Sequence, residues 1–109
     1  MIDPATVGPA ALDELDPVLT APKRLAAMAL LSRSAAADFA VLREHLGVSE
    51  SDLSKQMSAL VAAGYVTARK SGRGRGSATT YVATRAGKKA YARHRAVLEA
   101  ILAGESAPT

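Results

Sequence analysis

The sequence predicts a mainly helical α+β domain that contains one small β-hairpin. Residues that start and stop helices bracket apolar segments of helical period before residue 64 and after residue 84. Between these positions, two runs of β-branched and aromatic residues flank a glycine-rich stretch, which is typical of two strands joined by a loop. With 109 residues, the chain has the length of a single domain.

Prolines mark the first predicted elements. Residues 1–11 mix Pro, Gly and small side chains without periodicity, so we expect a flexible arm. The dipeptide Asp16-Pro17 predicts the start of a short helical turn, and a longer helix is predicted from Pro22 to about Arg33. This helix is apolar on every side over residues 25–31 and therefore needs cover all round. In so small a domain, we expect a second copy of the chain to supply part of that cover.

Capping residues define the next two helices. Asp38 is the predicted N-cap of a short helix that ends at Gly47. Ser49 and Asp52 form the S-x-x-D pattern of a capping box, which predicts a helix running to Gly64. The apolar residues expected on the inner side of the short helix are Phe39, Val41, Leu42 and Leu46.

A change of period follows Gly64. The segments 65–70 and 79–84 are predicted strands, because β-branched and aromatic residues favour extended backbone. The intervening segment is too long and too rich in glycine for a two-residue turn. We therefore expect a hairpin with a flexible, cationic tip.

The last helix is predicted from its N-cap, Thr84, to about Ala103. Its apolar stripe becomes strongest in the final two turns. The elements together predict one folded domain over residues 12–103, followed by a disordered tail at 104–109.

Charge is strongly segregated along the chain. Residues 53–98 carry ten Lys and Arg and no Asp or Glu, whereas residues 1–52 carry four basic and eight acidic residues. The net charge of the whole chain is only +4. An acid-free basic region of this kind favours a polyanionic partner. The alternative is a solvated basic face that has no partner.

The order helix, short helix, tight turn, helix and hairpin is that of a winged helix-turn-helix, in which the second helix of the motif enters the DNA major groove. On the predicted helix 49–63, a projection at 100° per residue places a buried stripe at Leu53, Met57, Leu60, Val61 and Gly64. The opposite edge is small and polar, so the backbone can approach base edges, where Lys can donate to guanine and Gln can pair with adenine. A generic solvated face is the alternative. The residues of this helix that we expect to contact DNA are Ser51, Ser54, Lys55, Gln56 and Ser58.

The hairpin, residues 65–84, is expected to lie on the minor groove or the phosphate backbone. An arginine on a flexible loop can enter a minor groove, and cations on a strand can hold phosphates. The expected contacts are Arg69, Lys70, Arg73 and Arg75. The last helix adds Arg85, Lys88 and Lys89, for which solubility of a helix surface is an alternative explanation.

No residue pattern indicates catalysis, a metal site or a cofactor. The glycine-rich stretch 72–76 lacks the Gly-Lys-Ser/Thr ending of a phosphate loop and leads into a strand. His45 and His94 lie far apart without companion ligands, and we expect them at the surface or in an interface. The chain has no cysteine, and its basic region has no acid to complete a catalytic pair. We therefore expect a non-enzymatic protein with no cofactor and no metal.

The sequence also bears on the compartment. No apolar run approaches the roughly 20 residues of a membrane helix, and the acidic N-terminus lacks the form of a signal peptide. The absence of cysteine agrees with a reducing compartment. We expect a soluble, cytoplasmic, nucleoid-associated protein with no membrane partner.

Five segments together resemble the MarR-type winged-helix transcriptional regulators, in particular the compact branch in which the protein is little more than the DNA-binding domain. These segments are 22–25 (PKRL), 38–42 (DFAVL), 48–56 (VSESDLSKQ), 60–66 (LVAAGYV) and 84–87 (TRAG). The set spans about residues 15–103 and is specific as a combination.

The resemblance implies sequence-specific binding of double-stranded DNA and regulation of transcription, usually repression. It implies a homodimer built from the terminal helices, with two recognition helices one DNA turn apart on a pseudo-palindromic operator. Some members of the family release DNA on binding small aromatic or lipid-like effectors. The residues expected in the dimer interface are Leu25, Met28, Val97, Leu98, Ile101 and Leu102.

Three departures from the family pattern fall on the recognition helix. Asp52 stands where Asn is frequent, Gln56 where His is frequent, and Ala62 and Ala63 replace charged residues. Lys55 is then the only cation on this helix, so affinity should depend on the wing. Two other functions remain open, a winged-helix adaptor for proteins and a nonspecific nucleic-acid binder. The sequence names neither the operator, nor the regulated genes, nor an effector.

Overall fold

The computed structural model describes residues 9–71 and 78–104, and their side chains from residue 12 onward. Within these residues the elements follow in the order α1 Pro9–Glu14, α2 Pro22–Ser32, β1 Ala37–Asp38, α3 Phe39–Leu46, α4 Glu50–Ala62, β2 Val66–Ser71, β3 Ala78–Ala83 and α5 Arg85–Ala103. The predicted class, mainly helical with a small sheet, is confirmed. None of the helices in the described part of the chain is both long and apolar enough to cross a membrane.

The sheet has one strand more than predicted. Among the described residues it is antiparallel and three-stranded, in the order β1-β3-β2. The predicted hairpin is confirmed, with Val66 opposite Ala83 and Ser71 opposite Ala78. The added strand β1 pairs Ala37 with Tyr81 and has only two residues, too few to produce an alternating pattern in the sequence. The hairpin tip, residues 72–77, lies outside the described residues.

Three predicted caps fix the starts of α3, α4 and α5. Asp38, Ser49 and Thr84 each accept a hydrogen bond from a first-turn N–H group, those of Val41 (2.8 Å), Asp52 (3.1 Å) and Gly87 (2.9 Å). At the other end, α3 ends at Gly47, whose positive φ of 67° satisfies the predicted C-terminal stop. The predicted helix ends and starts are therefore confirmed to within one or two residues.

The core lies between α2, α3, α4 and the sheet. Its largest fully buried side chains are Leu19, Met28, Leu31, Leu42, Leu53, Met57, Leu60 and Val66. On α3, Leu42 is buried and Phe39 and Leu46 pack against the core as predicted. The prediction for Val41 is wrong, because this side chain is 49% exposed. Helix α3 therefore buries fewer of its apolar side chains than the sequence suggested.

The junction between α4, the hairpin and α5 is built on close backbone contacts. Gly64 (φ 81°) ends α4 in a Schellman arrangement, with the Tyr65 N–H donating to the Leu60 carbonyl at 3.0 Å. The Thr84 hydroxyl donates to the Gly64 carbonyl at 2.7 Å, and the Thr84 N–H donates to the Tyr65 carbonyl at 2.9 Å. Gly87 packs so tightly on Tyr65 that a Cβ there would lie 2.1 Å from the Tyr65 carbonyl oxygen. The segment TRAG thus joins the hairpin rigidly to α5.

The N-terminal segment differs from the prediction in one respect. Helix α1 begins at Pro9, inside the segment 1–11 that was expected to be a flexible arm. Residues 16–20 form the predicted short helical turn, in which the Asp16 carboxylate accepts the Val18 N–H at 2.9 Å and the Asp16 carbonyl accepts the Thr20 N–H at 3.0 Å. The remainder of the predicted arm, residues 1–8, and most of the predicted tail, residues 105–109, lie outside the described residues.

Candidate nucleic-acid interface

Helix α4 presents a narrow polar edge to solvent. Its rear side is held by Leu53, Met57 and Leu60, which are buried as the projection predicts. The front edge carries exposed side chains at Ser51, Ser54, Lys55 and Ser58, again as expected. The prediction that Val61 is buried is wrong, since it is 40% exposed, and the neighbouring Ala62 is exposed too. The front edge of α4 therefore ends in a small apolar surface beside the sheet.

The side chain of Gln56 is not free to bind a base, contrary to the prediction from the sequence. Its side chain is half-buried, its Oε1 accepts from the Arg24 guanidinium at 2.9 Å, and its Nε2 donates to the Asp52 carboxylate at 3.0 Å. The predicted free amide, available to pair with a base, is thus already bonded at both ends by neighbours in the protein.

Asp52 is neutralised within the protein rather than left facing outward. Its carboxylate accepts from Gln56 and forms an ion pair with Lys23 on α2. The Gln56 hydrogen bond, followed by that of Lys23, holds the pKa of Asp52 below its usual value. Asp52 consequently stays ionised at neutral pH, and its stabilising effect is lost only as the pH falls through this lowered value.

The outer strand β2 supplies exposed cations next to α4. Helix α4 packs against β2, and the strand is exposed along its length except at Val66. Arg69 and Lys70 are therefore both exposed, and as consecutive strand residues they point to opposite faces of the sheet. Arg73 and Arg75, which the sequence places at the hairpin tip, lie outside the described residues.

Most of the basic region lacks internal acidic partners. Over residues 12–71 and 78–104, ion pairs within this region are limited to Arg93 with Glu14 at 3.7 Å and Arg95 with Glu99 at 3.0 Å. Lys55, Arg69 and Lys70 form none with the described acids. The positive charge on α4 and β2 is consequently not cancelled by the described part of the fold.

A polar cavity of about 470 Å³ lies between the N-terminal segment and α5. His94, expected at the surface or in an interface, is instead 2% exposed, and its Nδ1 accepts the Asp16 N–H at 3.0 Å. The Tyr65 hydroxyl donates to the Asp16 carboxylate, and this bond raises the pKa of the phenol. These contacts anchor the N-terminal segment to α5. His45 is exposed as predicted, and the described residues contain no group of side chains suited to a metal ion.

A second groove, of about 390 Å³, runs between α2 and α5 and is mainly apolar. Three residues predicted for the dimer interface line it, namely Leu25, Leu98 and Leu102, and Leu102 is 76% exposed. Val97 and Ile101 are half-buried on α5. The assignment of Met28 is wrong, because it has no exposed surface and belongs to the monomer core.

Comparison with known proteins agrees with this geometry. Residues 23–102 match the family model of the winged helix DNA-binding domain. No curated protein sequence is significantly similar to the chain. The transcriptional regulator homologue from Pyrococcus horikoshii OT3 is 25% identical with a TM-score of 0.80, over 87% of this chain and 96% of that one. Rv0081 from M. tuberculosis is 29% identical with a TM-score of 0.67, over 83% and 87%.

More distant structures show the same fold. YusO from Bacillus subtilis is 17% identical with a TM-score of 0.72, over 90% of this chain and 69% of that one. NadR, a MepR-like protein and AbfR, which are 16–18% identical to the chain, also share this fold. The winged helix that the sequence predicts is confirmed by the family model over residues 23–102. The Pyrococcus horikoshii protein is described as a transcriptional regulator homologue, and transcriptional regulators are a non-enzymatic class.

Proposed function

Because the chain belongs to the winged helix DNA-binding domain family, we propose that it binds a specific double-stranded DNA sequence as a homodimer and represses transcription there. The observation that supports this most strongly is the front edge of α4. This edge is exposed, small and polar at Ser51, Ser54, Lys55 and Ser58. The two acids in the first turn of α4 both have basic partners within the protein, Lys23 for Asp52 and Arg43, at 3.7 Å, for Glu50. A slender edge of this kind can approach base edges in a major groove.

The proposed contacts divide by role. Lys55 donates to guanine acceptors, while the serine hydroxyls bond to bases or phosphates according to sequence. Arg69 and Lys70 on β2 hold phosphates and so position the domain without reading sequence. Arg73 and Arg75 are proposed at the minor groove, on the sequence pattern alone. DNA as the partner implies a protein of the nucleoid.

The homodimer is proposed to form through the groove between α2 and α5. The exposed Leu102 and the apolar lining of this groove call for cover, which a second copy can provide on a two-fold axis. To bind two half-sites one DNA turn apart, such a dimer must hold its two copies of α4 about 34–36 Å apart, and its site must be pseudo-palindromic.

Changing Lys55 to alanine is expected to weaken binding to the preferred duplex by about 1–3 kcal/mol, the usual contribution of one base contact. Binding to an unrelated duplex should weaken much less, because Lys55 carries only one of several positive charges that attract the backbone. The affinities of both duplexes are measured by fluorescence anisotropy at one fixed salt concentration.

Lys89→Ala is the control that removes the same charge from α5, where Lys89 is also exposed and lines the cavity beside Glu14. A phosphate contact by Lys89, which the sequence left open, would weaken binding to both duplexes alike. Equal losses for Lys55→Ala and Lys89→Ala, on both duplexes, would remove α4 from the recognition surface. That outcome would favour the nonspecific binder left open by the sequence.

A further inference from the structure

Arg24 connects three parts of the fold at the base of α4. It lies in the first turn of α2 and is half-buried. Its Nε donates to the Val18 carbonyl at 2.7 Å, and its Nη1 donates to the Gln56 Oε1 at 2.9 Å. A single planar guanidinium thus ties the 16–20 turn to the second turn of α4.

The hydrogen bonds continue from Arg24 to the start of α4. Gln56 in turn donates a hydrogen bond from its Nε2 to the Asp52 carboxylate. Lys23, the neighbour of Arg24, forms an ion pair with the same carboxylate. The N–H of Asp52 is itself held by the Ser49 hydroxyl at 3.1 Å. Two consecutive residues of α2 therefore hold the first two turns of α4, which carry Ser51, Ser54 and Lys55 on the front edge.

These bonds add directional constraints to the core contacts of α4. The rear side of the helix is held by Leu53, Met57 and Leu60, whose close packing keeps the apolar stripe inward, although the hydrophobic effect itself has no preferred direction. Hydrogen bonds to a planar guanidinium depend on direction. Base contacts fail when groups are displaced by roughly 0.5 Å or 10–20°, whereas phosphate contacts on a flexible lysine tolerate more.

We propose that Arg24 is a positioning residue for sequence recognition, acting through Gln56 to fix the rotation of α4. Gln56 is then a link in this chain of hydrogen bonds and not itself a reader of bases. The inference rests on the proposed DNA-binding function and deepens it. Loss of either residue lowers discrimination between DNA sequences and leaves affinity for unrelated DNA nearly unchanged.

The placement of Lys23 and Arg24 supports this role. Cations in the first turn of a helix oppose its dipole, which favours acids there. Both cations are nevertheless found in the first turn of α2, and the structure gives each a partner on α4. Their contacts with α4 account for a placement that helix stability alone disfavours.

The test compares Arg24→Met, Gln56→Met and the double variant with the parent protein. The preferred duplex is first selected with the parent from random sequences, and affinities are then measured for it and for an unrelated duplex. We expect each single variant to lower the ratio of the two affinities about tenfold, within the range of one base contact. The double variant should be no worse than either single one, because both changes break the same chain of bonds.

Two further variants separate positioning from other roles. Arg33→Met makes the same change at the C-terminal end of α2, where the guanidinium bonds only its own helix, and should leave the ratio unchanged. Arg24→Lys keeps the charge but replaces the planar fork by an ammonium, so it should lower the ratio as Arg24→Met does. It also serves as the folded variant should Arg24→Met prove unstable in thermal melts.

Several results would overturn the proposal. An unchanged ratio for Arg24→Met and Arg24→Lys, with only the melting temperature lowered, would make the role purely structural. A changed preference at one base pair for Gln56→Met but not for Arg24→Met would show that Gln56 reads a base directly. An Arg24→Lys variant that keeps the parent's ratio of affinities would show that a positive charge at this position is enough and that the planar guanidinium is not needed. If the parent protein bound the selected and the unrelated duplex equally well, the proposed function would be wrong, and the role of Arg24 would fall with it.

Discussion

Replacing Gly87 by alanine is expected to lower the free energy of unfolding by about 3 kcal/mol, the upper part of the usual range for overpacking. The added Cβ would lie 2.1 Å from the Tyr65 carbonyl oxygen, and that oxygen belongs to backbone, so no side chain can move aside. The same carbonyl accepts the Thr84 N–H, which holds the hairpin and α5 together. Chemical denaturation of parent and variant measures the difference directly.

The sign of this result is informative. Helix propensity alone favours alanine over glycine by about 1 kcal/mol, so a contact looser than the structure shows would make the variant more stable. Ala86→Ser is the control, because Ala86 is the exposed neighbour of Gly87 in the same turn and its change should stay within about 0.5 kcal/mol. A stabilised Gly87→Ala would contradict the packing described for the junction.

Changing both Leu98 and Leu102 to aspartate is expected to convert the proposed homodimer to a folded monomer. Both side chains line the groove between α2 and α5, and Leu102 is largely exposed, so the monomer loses little of its own core. In a dimer the new carboxylates would be buried together across the two-fold axis, which costs several kcal/mol for each unpaired charge. Sedimentation equilibrium gives the mass in solution.

Ala92→Asp with Ala96→Asp is the matched control for the dimer. It adds the same two charges at the same spacing on α5, at positions that are exposed and outside the groove lining. The control should remain dimeric. A Leu98→Asp, Leu102→Asp variant that also remains dimeric would place the interface on another surface, and a monomeric parent would remove the dimer from the proposal.

The elements that the sequence predicted well are those specified by local interactions. Asp38, Ser49 and Thr84 cap their helices through side-chain oxygens that reach only a few residues along the chain. Glycines in the left-handed backbone conformation end all three of these helices, at Gly47, Gly64 and Gly104, for an equally local reason, and the first two of these stops were predicted. Strands of six residues were long enough to be recognised from β-branched and aromatic composition.

The errors concern contacts between elements that are distant in sequence. A helical projection gives the direction of a side chain but not the neighbour that it meets, so Val61 was placed inside and found exposed, whereas Met28 was placed at an interface and found in the core. His94 is buried because Asp16, 78 residues earlier, binds it. Strand β1 exists only because β3 pairs with it.

Part of the proposed DNA-contact surface was predictable and part was not. The front edge of α4 follows from helical periodicity, so Ser51, Ser54, Lys55 and Ser58 were identified and are exposed. The partners of Gln56 could not be read from α4 alone, because Arg24 lies on another helix 32 residues earlier. Two cations in the first turn of α2, against the helix dipole, were the available signal for that contact.

The most direct test of the account is the affinity of the parent protein for a duplex selected from random sequences, compared with an unrelated duplex as salt is raised. We predict a pseudo-palindromic preferred sequence that binds at least about 10³-fold more tightly than the unrelated duplex. Both affinities should fall with salt, since each includes phosphate contacts. Equal affinity for both duplexes at every salt concentration, or no salt-dependent binding to either, would contradict sequence recognition by α4.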